Sequence, residues 1–280
     1  MKTLKIIKPD DWHVHFREGK FLKKLVKETC TVYQRAIIMP NLKTPITNLK
    51  LANKYRREIA KFSCSNKNFK PLITFYLTEN INIDELIKAY KEKKMFAVKL
   101  YPFGATTNSS KGIKNIEKIF LVLEKMSKYN IPLLIHGEVN CKEIDVFDRE
   151  KAFIDTNLKI IHSNFPDLKI TLEHITTKYA ANFVNQTNSN LKASITPHHL
   201  IINRSDMLEH KIKPHYYCLP ILKREEDRKT LLEMATSGNE NFFLGTDSAP
   251  HTKEDKENAC GCAGIFNTIN SIEMLIQLFE

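Results

Sequence analysis

Residues 131–136, Ile131-Pro132-Leu133-Leu134-Ile135-His136, carry the pattern on which the reading of the whole chain turns. The run is apolar, too short for a helix, and ends in a histidine; a short apolar run of this kind reads as a strand buried on both faces. The same unit recurs along the chain as a β-rich run, a polar terminus and then a stretch with helical spacing. The runs are residues 4–7 continuing to His15, then 35–40, 71–77, 96–101, 131–136, 169–174, 192–197 and 241–245. Between them apolar residues recur at helical intervals, as in Leu49, Ala52, Tyr55, Ile59 and Phe62, or Ile113, Ile116, Phe120, Leu123 and Met126. Asp84 and Ser205-Asp206 read as helix-start chemistry. Eight apolar strands alternating with helices predict an α/β fold with a parallel sheet closed into a (β/α)8 TIM barrel.

The 280 residues suit one such barrel, which typically needs about 250. No Gly/Ser-rich linker or charge block divides the chain, so residues 1–280 read as a single domain. The amphipathic run 272–280 carries no C-terminal cap, which gives the expectation that the last helix or a C-terminal segment is incomplete. Hydrophobic residues at 42% and charged residues at 27% are a globular balance. With no apolar run of about 18 residues and no signal peptide at the start, the chain reads as cytoplasmic. Six cysteines give no disulfide framework: Cys30, Cys64, Cys141 and Cys218 stand isolated, and Cys260-Gly261-Cys262 reads as a tight turn of small residues. The formal charge of +11 raises the question of nucleic acid, but the lysines are scattered over helical segments and no nucleic-acid motif accompanies them.

In a barrel of this kind the chemistry sits at the C-terminal strand ends. Read in order, those ends carry His13 and His15, Asn41, Tyr76, Lys99, His136, His174, Pro197-His198-His199 and Asp247. His13 and His15, two apart on a strand, point to one face roughly 6.5–7 Å apart along the chain and can converge on one metal. A lone H-x-H pair is a weak signal; its coincidence with further histidines and Asp247 at equivalent strand ends makes it a metal site. His210 and His215 fall outside the pattern and read as surface or structural residues. Lys99 has two readings. As an ammonium it pairs with a carboxylate or snorkels out of the barrel mouth; as a neutral amine it reacts with carbon dioxide to give an anionic carbamate able to bridge two metals.

The motifs resemble those of the dihydroorotases of the shorter bacterial type, within the amidohydrolase superfamily. The segments that carry the resemblance are Asp11-Trp12-His13-Val14-His15-Phe16-Arg17, Met39-Pro40-Asn41, Lys99-Leu100-Tyr101-Pro102, Ala105-Thr106-Thr107-Asn108-Ser109-Ser110, His136-Gly137-Glu138-Val139 and Glu173-His174-Ile175-Thr176-Thr177. Tyr217-Cys218-Leu219-Pro220, Gly245-Thr246-Asp247-Ser248-Ala249-Pro250-His251 and Cys260-Gly261-Cys262-Ala263-Gly264 continue it to the last strand. The resemblance implies two zinc ions, His13, His15 and Asp247 on the more buried one and His136 and His174 on the other. Lys99, as N6-carboxylysine, and a hydroxide would bridge them. It further implies reversible cyclisation of N-carbamoyl-L-aspartate to L-dihydroorotate, a step of pyrimidine synthesis, with Asp247 as general acid/base, in a homodimer. Arg17 offers a bidentate fork for the substrate carboxylate. By resemblance Asn41 and His251 share that carboxylate, and backbone groups at Leu219 and Ala263 hold the ring amide. The small, polar stretch 104–112 reads as a mobile loop, with Thr106 and Thr107 lent to the substrate when it closes.

Three other readings compete. Another amidohydrolase, a hydantoinase or deaminase, would share the metal set and lack the Arg17, Asn41 and His251 carboxylate pocket. A non-catalytic scaffold would lack ligands, and none is missing here. A nucleic-acid binder has only the net charge in its favour.

Overall fold

Successive residues of a strand face opposite sides of the sheet, and this alternation places the site. The computed structural model describes residues 4–63, 68–187, 190–259 and 261–280. Its eight strands are β1 (Asp11–Val14), β2 (Arg35–Ile38), β3 (Lys70–Tyr76), β4 (Ala97–Leu100), β5 (Leu133–His136), β6 (Ile170–Glu173), β7 (Leu191–Ile195) and β8 (Phe242–Leu244). They pair in sequence order, each neighbour parallel. A parallel bridge between Val14 and Ser248 brings the first and last strands together, as do Asp247 N–H donating to the His13 carbonyl (2.9 Å) and His15 N–H to the Ser248 carbonyl (3.1 Å). The result is the barrel that the eight repeated units predict.

Ala36, Ile38, Ile73, Phe75, Val98, Leu100, Leu133, Ile135, Ile170, Leu172, Leu191 and Ala193 lie on the outer face and form the main core with the surrounding helices. The alternate positions turn into the barrel. Near its N-terminal end they are apolar, Ile37, Ala97 and Leu134 packing with Met39, Trp12, Leu72 and Phe96. Nearer the C-terminal end the same face carries Tyr76, Lys99, His136, Glu173 and Ser194, all buried. Register fixes the neighbours: Tyr76 lies opposite Lys99, and His136 opposite Glu173.

Two local expectations are corrected. Residues 4–7 are not strand; Leu4 and Ile7 are exposed, and pairing begins only after Pro9, whose missing N–H suits the entry to a strand. The helix-start expectation is met: Asp84 lies in the first turn of Ile83–Lys91, where the Asn82 side chain accepts from Glu85 N–H, and Asp206 completes a capping box with Asn203. Cys30 is disulfide-bonded rather than isolated. Cys64 and Cys260, and with Cys260 the expected C-x-C turn, lie outside the described residues. Among the described residues no helix is long and apolar enough to cross a membrane.

Candidate active site

His13 enters the barrel from β1 and His15 from the extended residue just beyond it. Their Nε2 atoms are 3.2 Å apart, and Asp247 Oδ1 lies 3.3 Å from the first and 3.1 Å from the second. Between two ring nitrogens at that separation there is room for at most one proton, so the three donor atoms face a common point. His136, at the end of β5, and His174, just after β6, meet edge to face with ring centroids 4.8 Å apart, and the His13 ring lies 5.0 Å from that of His174. His174 Nδ1 is buried with no hydrogen-bond partner among the described residues. Converging imidazoles and a carboxylate, with an unpartnered buried nitrogen among them, are a donor set that fits a zinc-like divalent cation.

Lys99 completes the inner wall, fully buried, and its ammonium is held by the Glu173 carboxylate. Burial pushes the Lys99 pKa down and Glu173 opposes that. For Asp247, burial works against the charge, but His13 and His15 outweigh it and hold the carboxyl well below the usual range. Burial lowers the His15 pKa to about 4, whereas at His13 the opposing Glu173 and Asp247 carboxylates outweigh burial and raise it to about 9.

Arg17, His174 and Asp247 all adopt positive φ, at 54°, 43° and 45°. For a non-glycine residue this costs on the order of 1–3 kcal/mol and persists only where the surroundings enforce it. Each is held by hydrogen bonding: Tyr55 O–H donates to the Arg17 carbonyl (2.7 Å), His174 N–H to Ser194 Oγ (2.8 Å), and Asp247 N–H to the His13 carbonyl (2.9 Å). The strained backbone turns these three side chains toward the mouth.

One cavity is lined by His13, His15, Arg17, Asn41, Tyr101, Thr106, Thr107, His136, His174, Leu219, Asp247, Ala249, Ala263 and Gly264. It has about 20 Å³ of free space. It shares His15, Arg17, Asn41 and Thr107 with a larger cavity of about 550 Å³ that is also lined by His251. Arg17 Nη2 is 3.1 Å from His251 Nε2, which also lies 3.0 Å from the Ala263 carbonyl. Burial, with Arg17 next, lowers the His251 pKa to about 4. The loop after β4 lies down on Asn41: Asn41 Nδ2 donates to the Thr107 carbonyl (3.0 Å) and Asn108 Nδ2 to the Asn41 carbonyl (2.9 Å). The structure thus brings the expected metal-donor and substrate-contact residues to one end of the barrel. His210 and His215 are exposed, His215 pairing with Glu257.

His198 and His199 do not join this cluster. With Cys218 they form a separate buried group, but His199 is bound at Nδ1 by Thr196 Oγ1 (2.7 Å) and at Nε2 by the Pro220 carbonyl (3.0 Å). His199 thereby ties the segment after β7 to the 217–220 turn, while His198 Nδ1 lies 3.1 Å from Asn267 Nδ2.

Several buried charges escaped the sequence reading. Glu138 Oε2 bonds His136 Nε2 at 3.0 Å, and Glu173 Oε1 lies 3.0 Å from His13 Nδ1, so a carboxylate backs each ring. Asp11 takes Thr246 Oγ1–H (2.6 Å) and the N–H groups of Thr246 and His13, joining β1 to the Asp247 turn; burial still lifts its pKa to about 6. Glu150 accepts from the backbone and hydroxyl of both Thr176 and Thr177, behind His174. Glu138 and Asp11 stand two residues from a strand-end histidine, a spacing that could have exposed them. Glu150 and Lys256 carry no such signal.

A parallel eight-stranded barrel with histidines, an aspartate and a lysine converging at the C-terminal ends defines a hydrolase class, and the chain belongs to the amidohydrolase family, whose sequence pattern matches residues 5–279. The dihydroorotase of Agrobacterium fabrum is 50% identical over 280 residues, all of this chain and 81% of that protein. The crystal structure of the Campylobacter jejuni dihydroorotase superposes with a TM-score of 0.88 at 40% identity, covering 97% of this chain and 77% of that one. Dihydroorotase from Saccharomyces cerevisiae in complex with 5-fluoroorotic acid gives 0.88 at 32%, covering 97% and 78%. Within the amidohydrolases, the chain's place is among the dihydroorotases.

Proposed function

We propose that this protein is a metal-dependent cyclic amide hydrolase that interconverts N-carbamoyl-L-aspartate and L-dihydroorotate in pyrimidine synthesis. It would work in the cytoplasm as a homodimer. The observation that carries the reading is the single cavity in which a metal-donor set and an anion-binding set share one wall. His13, His15 and Asp247 would hold one zinc ion, His136 and His174 a second, with Lys99 as N6-carboxylysine between them. Such ions polarise a carbonyl and bring water to a pKa of about 7.

The chain's own groups supply the rest. Asp247, kept ionised by its imidazole neighbours, takes the proton from the attacking nitrogen in ring closure and returns it to the leaving nitrogen in ring opening. Lys99 must be neutral to gain a carboxyl group, and the burial that lowers its pKa supports that step. Arg17 and Asn41, with His251 beside them, would clamp the substrate carboxylate and hold the ring in register with Asp247. Thr106 and Thr107 would cover it from the loop, and backbone groups of Leu219 and Ala263 would hold the ring amide.

Dihydrouracil has the same ring without the carboxylate, so it separates this reading from a hydantoinase-like one. L-dihydroorotate is expected to be opened with a kcat/KM about 10²-fold or more above that of dihydrouracil. Arg17→Ala should erase the preference. Equal turnover of both rings by the unaltered protein would assign it to the hydantoinase-like class instead.

A further inference from the structure

The short helix Lys253–Lys256 follows the His251 turn and sits in a charged stretch, yet its last residue turns inward. Lys256 is 3% exposed. Its Nζ donates to three backbone carbonyls, Tyr217 at 2.9 Å, Cys262 at 2.8 Å and Gly264 at 2.8 Å. Those three bonds use all the N–H groups of an ammonium, the condition under which a buried cation is tolerated without a carboxylate.

The three carbonyls belong to two segments far apart in sequence. Tyr217 stands two residues before Leu219, while Cys262 and Gly264 flank Ala263. Gly264 N–H also donates to the Tyr217 carbonyl at 2.9 Å, so that one oxygen is shared by both ties. At Gly264, φ is 148° and a Cβ would run into the Ala249 carbonyl, so only glycine lets this segment lie against the turn after β8. Leu219 and Ala263 both line the cavity of the metal-donor set, whereas Lys256 does not.

We propose that Lys256 is a positioning residue for substrate binding: its ammonium staples the 217–219 and 262–264 segments together and so fixes the spacing of the Leu219 and Ala263 backbone groups that receive the ring amide. The proposal rests on the functional reading above. Lys256 touches neither the reacting atoms nor a metal donor, so its loss acts on the substrate's seat and not on the chemistry.

Two variants test it, Lys256→Met, which removes the donors and keeps the apolar stem, and Lys256→Gln, which retains two N–H groups. With metal content measured on each sample, Lys256→Met should raise KM for L-dihydroorotate by about 10-fold or more, with kcat within about threefold of the parent and metal unchanged. Lys256→Gln should fall between the two. Hydrogen exchange provides a readout that needs no substrate: the amides of Leu219, Ala263 and Gly264 should exchange at least about 10-fold faster in Lys256→Met. Unchanged KM and unchanged exchange in folded, metal-loaded Lys256→Met would overturn the staple, as would parallel loss of metal and kcat, or failure of both variants to fold. An unaltered protein without dihydroorotate turnover would sink the functional reading alone, and the exchange result would then decide the staple.

Discussion

The two ends of one barrel interior are made from the same strands and behave as opposites. On β4, Ala97 and Lys99 share a face; on β5, Leu134 and His136 do. Ala97 and Leu134 pack into the apolar floor with Ile37 and Met39, above a cavity of about 600 Å³ bordered by Trp12, Phe96 and Phe243. Two residues further on, Lys99 and His136 stand in a mouth of buried charge, with positive-φ residues at His174 and Asp247. The floor follows the rule that buried side chains are apolar. The mouth departs from it at every strand, and groups so arranged are retained for chemistry at a cost in stability. Exchanging residues at the two ends should therefore separate function from stability.

The largest effect is expected at the mouth. Asp247→Asn should lower kcat by about 10³-fold or more in steady-state assays, while the thermal midpoint holds or rises. At the floor the pattern should invert: Leu134→Ala should cost about 2–5 kcal/mol in denaturant unfolding and leave kcat within a small factor. A Leu134 variant that loses activity without losing stability would break the contrast. Glu138→Gln probes the layer between, because it weakens the hold on His136 Nε2 and leaves the apolar packing alone. Its affinity for zinc, measured by competition with a chelator, should drop about 10–100-fold.

The smallest effect concerns His251. Its folded pKa of about 4 lies below the ordinary 6.5, so the unfolded chain binds the extra proton between those values. Stability should therefore fall as pH drops from about 6.5 to 4 and stay level above. His251→Asn should flatten that part of the profile, read from denaturant midpoints at pH 4.5 and 7. An imidazole that titrates near 6.5 by NMR would contradict the assignment.

Much of this contrast was legible in the chain. Short apolar runs with a polar final residue identified the strands and, through them, His13, His15, Lys99, His136, His174 and Asp247. The loop contacts of Arg17, Asn41 and His251 came from motif order, not from periodicity. What stayed hidden was the support behind the site. Glu150 and Lys256 sit in ordinary charged runs, and only tertiary packing turns them inward to meet backbone groups distant in sequence. The start of β1 was misjudged for a related reason: Leu4 and Ile7 look like core, but among the described residues nothing covers them.

The account's central claim is that the mouth is a metal-dependent site for L-dihydroorotate. Its most direct test measures metal content and L-dihydroorotate hydrolysis on one sample, before and after chelation and again after zinc is restored. The account predicts about two equivalents of metal per chain, turnover that disappears with the metal and returns with it. Full metal occupancy without turnover, or turnover that survives complete removal of metal, would contradict it.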